Sequence, residues 1–177
     1  MTTPWISADT EIFDYDPTDA FIWYPDASSS LVWDLIGEFD VCSAQSGRIN
    51  SGELTNTYIQ NDSKFILNEL NNTPGFCYLF THLQVPDPSG SYFLEFTGTY
   101  RGNHEVTFQA YNWDTTAYTT FYTLQPSLFT QTYTANIPAG ASYYDVDTLL
   151  IRTIHSDAGN SGHLFRINYW KLHEGSV

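Results

Sequence analysis

The stretch SYFLEFTGTY, Ser91 to Tyr100, constrains this chain more than any other feature. Laid out as an extended strand, it places Tyr92, Leu94 and Phe96 on one face and Phe93, Glu95, Thr97 and Thr99 on the other. A period of two is the strand's own repeat, and a helix would scatter the same apolar residues around its surface. HEVTFQAYNW repeats the pattern shortly afterwards, with Val106, Phe108 and Ala110 inward and Glu105, Thr107 and Gln109 outward. Thr, Tyr, Val and Phe also suit a pleated, half-buried surface.

Turn residues punctuate such runs from about residue 75 onward: Thr73-Pro74-Gly75, Pro86-Asp87-Pro88-Ser89-Gly90, Arg101-Gly102-Asn103, Gln125-Pro126-Ser127, Pro138-Ala139-Gly140 and Ala158 to Gly162. Turn signals about a dozen residues apart are those of a sandwich or barrel. Further strands are expected in Cys77 to Val85, TAYTTFYTL, FTQTYTANI, DVDTLLIRTIH and HLFRINYWKL. The earlier part is less regular, with strands expected at Glu11 to Phe13, Phe21 to Tyr24, Leu31 to Ile36 and Asn56 to Gln60. SKFILNEL, Ser63 to Leu70, fits either a short helix or a strand. About eight or more antiparallel strands suit an all-β, two-sheet β-sandwich of jelly-roll type. No linker, repeat or low-complexity tract interrupts the 177 residues, so a single domain over 1–177 is expected, with 1–75 its less regular part.

Charge narrows the partners. Twenty acidic against six basic residues give a formal net charge of −14, and the first basic residue is Arg48. Nucleic acid is therefore a poor partner, because binding it requires clustered Lys and Arg. No apolar run approaches the ~20 residues of a membrane helix. Met1 to Trp5 carries neither the basic nor the apolar region of a secretory leader, so no standard export signal is expected. Aromatic residues at 17% against charged residues at 15% argue against intrinsic disorder. Cys42 and Cys77 match no zinc or redox spacing, and two buried thiols weigh more than one bridge.

Motifs for catalysis are lacking. There is no Gly-x-Ser-x-Gly elbow, no His-Glu-x-x-His and no phosphate-binding loop, so no enzyme activity is expected. His155 and His163 flank Ser156 to Gly162, where the ends of two strands would face each other across a hairpin. A metal needs three or four converging ligands, and along the sequence only Asp157 lies near this pair. The two histidines read as caps of a turn, with Gly159, Gly162 and Asn160 supplying positive φ. Glu11, Asp14, Asp16 and Asp19 cluster hard oxygen ligands around Pro17, but without the Gly and Glu of an EF-hand loop, so a solvated turn is the first reading.

Aromatic residues carry most of the functional content. Five Trp and thirteen Tyr exceed what one sandwich core readily takes in. Those at the surface suit sugar stacking or a protein interface, since each combines an apolar body with a polar tip. Tyr111 and Trp113 share a strand face and lead to Asp114, an arrangement that fits a sugar platform with a carboxylate for hydroxyl groups, or an interface hot spot.

The segment Asp145 to Leu172 resembles the closing hairpin of jelly-roll domains in tailed-phage structural proteins. Those domains are similar in layout to galactose-binding-like carbohydrate modules. The residues that carry the resemblance are Ile151, Arg152, His155, Gly159, Asn160, Gly162, His163, Leu164, Phe165, Ile167 and Tyr169. The resemblance implies a bacteriophage virion protein, a capsid decoration (cement) or tail accessory component that contacts other virion proteins and forms a homo-oligomer. The alternative it implies is a carbohydrate-binding module or receptor-binding tip for surface glycans. Modules of this kind also carry structural calcium, for which Asp14, Asp16 and Asp19 are the candidates; no other cofactor is expected.

Overall fold

A computed structural model describes residues 37–177, all within one unit, Trp33–Val177. The strands expected before residue 37, together with Asp14, Asp16 and Asp19, lie outside the described residues. The strands are β1 (Gly37–Glu38), β2 (Val41–Ser46), β3 (Arg48–Ser51), β4 (Phe65–Asn68), β5 (Phe76–His82), β6 (Tyr92–Arg101), β7 (Val106–Asn112), β8 (Ala117–Leu124), β9 (Gln131–Asn136), β10 (Tyr144–Asp145), β11 (Thr148–His155) and β12 (Leu164–Glu174). They form two antiparallel sheets. The first runs β3-β4-β12-β6-β9 with β1 also on β12; the second runs β2-β5-β11-β7-β8 with β10 also on β11. The expected all-β, two-sheet sandwich is the observed architecture.

Alternation decides which side chains meet between the sheets. In β6, Tyr92, Leu94 and Phe96 are buried while Phe93 and Glu95 are half-buried, and in β7 the buried set is Val106, Phe108 and Ala110, as the period of two requires. In β12 the alternation changes phase. Phe165 and Ile167 face the core, but Trp170 and Leu172 do so further on, because a bulge between Ile167 and Tyr169 shifts the register against β6. Without that extra residue Tyr169 would turn inward and Trp170 outward. Trp170 instead fills the centre, stacked on Phe80 at 4.4 Å and ringed by Phe108 at 5.5 Å, Phe96 at 5.6 Å and Phe39 at 5.9 Å.

Several sequence expectations are corrected. Asn56 to Gln60 is not a strand; Leu54–Thr57 forms a 3-10 turn capped by reciprocal bonds between Glu53 and Asn56. SKFILNEL resolves as the strand β4. β2 and β3 were not expected, since their mostly exposed, polar residues give no apolar alternation to read. Cys42 and Cys77 are free thiols, and burial pushes the Cys42 thiol up to about 12.

The largest correction concerns Ser156 to Gly162. β11 lies in the second sheet and β12 in the first, so the segment crosses between sheets and closes no hairpin. Gly159, Asn160 and Gly162 are not among the residues of positive φ. Gly159 is required for space instead: a Cβ there would stand 2.3 Å from the Leu70 carbonyl oxygen and 2.4 Å from Gly75 Cα. The crossover is thereby held against the β4–β5 loop, with Gly159 N–H donating to Asn72 O at 3.0 Å and Gly75 N–H to Asp157 O at 2.7 Å. Gly159→Ala should cost about 1–3 kcal/mol by overpacking, measured as a lower midpoint of chemical unfolding. An unchanged midpoint would contradict the close approach.

Candidate functional site

Two groups of side chains stand out, one on the outer face of the second sheet and one inside the end of the sandwich. The outer face follows from the same alternation that builds the core. In β11, Leu149, Ile151, Thr153 and His155 point inward, which leaves Leu150, Arg152 and Ile154 on the other side. Register places Arg152 opposite Gln109 of β7, Gln109 opposite Thr120 of β8, and Tyr111 opposite Tyr118. Arg152 Nε donates to Gln109 Oε1 at 2.9 Å, its Nη2 donates to the same oxygen, and Gln109 Nε2 donates to Thr120 Oγ1 at 3.0 Å. The guanidinium also lies 3.5 Å from the centre of the Tyr118 ring, a cation–π contact. Tyr118 packs edge-to-face with Tyr111 at 4.9 Å, and Tyr111 in turn with Trp113 at 4.9 Å and 83°.

The structure therefore brings Tyr111 and Trp113 together, though nearly perpendicular rather than as one flat platform. Trp113 is half-buried, and its backbone N–H is tied to Ser142 O at 2.7 Å. Asp114 follows it, exposed, in the turn between β7 and β8. Sequence reasoning missed Gln109 and Tyr118 as parts of this face and left Arg152 without a role. The usable signal was an arginine in the outward phase of β11, one of only six basic residues in the chain. Chemically the face offers guanidinium and amide donors beside aromatic rings, the pairing that engages hydroxyl groups and apolar C–H faces together.

Inside the sandwich end, Glu69 is almost wholly buried directly after β4. Tyr100 donates its hydroxyl proton to Glu69 Oε1, and the Asn160 backbone N–H donates to Oε2 at 2.7 Å. His104 Nε2 lies 2.9 Å and His155 Nδ1 3.2 Å from Oε1, while His163 Nδ1 lies 3.2 Å from Oε2. Burial alone would push the Glu69 carboxyl up, but the bonds from Tyr100, His104 and Asn160 outweigh it and hold the group below the ordinary carboxylate range. Burial lowers His155, favouring its neutral ring. Glu69, His104 and His155 place ligand atoms within 4.8 Å of one another, a set able to hold a metal ion. His155 and His163 thus do not cap a turn through loop carbonyls; both reach the same carboxylate. Glu69 and His104 were invisible as partners because each is far from this pair along the chain.

No protein-family model matches the chain, and no curated protein matches it in sequence. Solved structures do. The chain is similar to a variant of a family 29 carbohydrate-binding module at TM-score 0.52 and 14% identity, over 78% of this chain and 82% of that one. It is similar to a variant of a family 29 module complexed with mannohexaose at TM-score 0.50 and 14% identity, over the same shares, 78% and 82%. A further variant, complexed with cellulohexaose, gives TM-score 0.51 and 15% identity over 78% and 82%. The fold is that of a carbohydrate-module β-sandwich. At such identities the likeness extends to the fold alone, so a function for this carbohydrate-module fold rests on the side chains described above.

Proposed function

We propose that this chain is a non-catalytic glycan-binding module whose binding surface is the outer face of β7, β8 and β11. The observation that carries this reading is the row Arg152, Gln109 and Thr120 lying beside Tyr118, Tyr111 and Trp113 on one side of a sheet. The fold supports it, since similar structures are carbohydrate-binding modules and two of them are complexes with mannohexaose and cellulohexaose. The substrate class expected is an extended, neutral hexose polymer: the donors would engage hydroxyl groups and the rings would cover the sugar's apolar face. Asp114, exposed at the end of this face, supplies an acceptor for a further hydroxyl.

Isothermal titration against manno- and cello-oligosaccharides tests the reading. Arg152→Ala should weaken binding roughly 10- to 100-fold, the range for losing charge-assisted hydrogen bonds of about 1.5–3 kcal/mol, and Tyr118→Ala about 2- to 10-fold, the range for losing an aromatic contact of about 0.5–1.5 kcal/mol. Both variants should stay folded, because neither side chain belongs to the core. Undiminished binding in both would remove this face from the account.

A second reading, assembly with other copies or with virion proteins, has one observation in its favour. Leu128 and Phe129, between β8 and β9, are 73% and 75% exposed, an apolar tip suited to a protein contact. A stable oligomer in light scattering with no glycan signal would favour it.

A further inference from the structure

The cluster around Glu69 joins side chains from both sheets at this end of the sandwich. Glu69 follows β4 and His163 precedes β12, both of the first sheet, whereas His155 ends β11 and His104 shortly precedes β7 in the second. His155 is only 5% exposed, and its Nδ1 lies 3.2 Å from Glu69 Oε1 without the alignment of a hydrogen bond. A buried polar atom left so is costly. A cation bound to both atoms would satisfy the nitrogen lone pair and the carboxylate at once.

The spacing fits a small divalent ion. Bonds of 2.0–2.1 Å in a tetrahedron set donor atoms about 3.3 Å apart, close to the 2.9 Å from Glu69 Oε1 to His104 Nε2 and the 3.2 Å to His155 Nδ1. The His104 and His155 rings are stacked with centres 3.4 Å apart. Parallel rings do not aim both lone pairs at one point, so one ring must turn, and the His104 side chain, 25% exposed, has the room. His163 Nδ1, 3.2 Å from the other carboxylate oxygen, lies outside the three converging ligand atoms and would shift toward them to take the fourth position. Imidazole nitrogens with one carboxylate suit zinc and neighbouring transition metals; calcium and magnesium prefer all-oxygen sets. The Tyr100 hydroxyl, bonded to both Glu69 Oε1 and His104 Nε2, would have to give way to the ion, while the Asn160 N–H on Oε2 would keep the carboxylate oriented.

We propose that Glu69, His104, His155 and His163 form a structural zinc site that ties the two sheets together at this end of the sandwich. The site is separate from the proposed glycan face and does not depend on it. Its test uses the whole chain, stripped with a chelator and checked for retained β-sheet by circular dichroism. Zinc should rebind at one ion per chain and raise the melting temperature by several degrees. His104→Ala should weaken zinc binding by about 100-fold or more, beyond the 10- to 100-fold typical of outer-shell losses. His173→Ala, whose Nε2 lies 3.0 Å from Glu95 on β6, should bind as the unaltered chain does. His155→Ala is the more buried companion, and His104→Ala keeps the test decisive should His155→Ala fail to fold. Failure of the stripped, folded chain to take up zinc would overturn the proposal, as would uptake undiminished in His104→Ala.

Discussion

Replacing Trp170 by alanine should lower stability by about 3–5 kcal/mol, the cost of emptying an aromatic site in a packed core. In a chain of this length each kcal/mol moves the melting temperature by roughly 2–4 °C, so calorimetry should register a fall on the order of 10 °C. The reason lies in position: Trp170 is fully buried and touches aromatic rings from both sheets, Phe80 and Phe108 from the second and Phe96 from the first. Its indole N–H meets no acceptor among the described residues. Trp170→Phe should therefore cost much less than alanine, because it keeps a ring in place and removes a buried donor that gains nothing. A fall of under about 2 °C for Trp170→Ala would show that the sheets do not pack around this residue.

Glu69→Ala should cost about as much, roughly 3–5 kcal/mol, since it strands several buried polar groups together. Tyr100, the Asn160 N–H and the histidines all direct polar atoms at this one carboxylate. Glu69→Gln keeps the shape but places an NH2 group against some of those donors, so it should rescue only part of the loss. Acid should reproduce the effect in chelator-treated protein. His155 is held below its ordinary 6.5, so the folded state resists a proton that the unfolded chain accepts, and stability falls as pH drops below that value. Glu69 is held below its ordinary 4.5, so its contribution is complete above that pH and is lost as pH falls through the lower folded value. Melting curves between pH 7 and pH 3 should thus shift steadily downward, with a shallower acid limb in Glu69→Gln. Equal slopes for the two proteins would contradict the role given to Glu69.

The parts of the fold that were legible in the sequence are those governed by local alternation. β6 and β7 show their inward faces as every second residue, and Tyr92, Leu94, Phe96, Val106, Phe108 and Ala110 are buried as that pattern demands, although Thr97 and Thr99 on the opposite face of β6 are buried as well. Alternation fails where a bulge resets the phase, as between Ile167 and Tyr169, and where an edge strand such as β3 is exposed throughout. It also says nothing about which sheet a strand joins. That is why Ser156 to Gly162 read as a hairpin and its glycines as turn formers, when the chain crosses between sheets and Gly159 gives room to a neighbouring backbone.

The same limit applies to the sites. Tyr111 and Trp113 are close in sequence and were found together, while Tyr118, Gln109 and Arg152 join them only through register across three strands. His155 and His163 were conspicuous, but their shared partner lies 94 positions from His163, a separation that no local motif spans.

The central claim is that a glycan lies on the outer face of β7, β8 and β11, and an NMR titration of the labelled chain with manno- and cello-oligosaccharides tests it most directly. Saturable shift changes gathered at Tyr111, the Trp113 indole, Tyr118 and the Arg152 guanidinium are the result expected. Changes gathered instead at the cavity of about 230 Å³ beside Tyr122 and Tyr133, or no changes at any of these residues across the series, would contradict it.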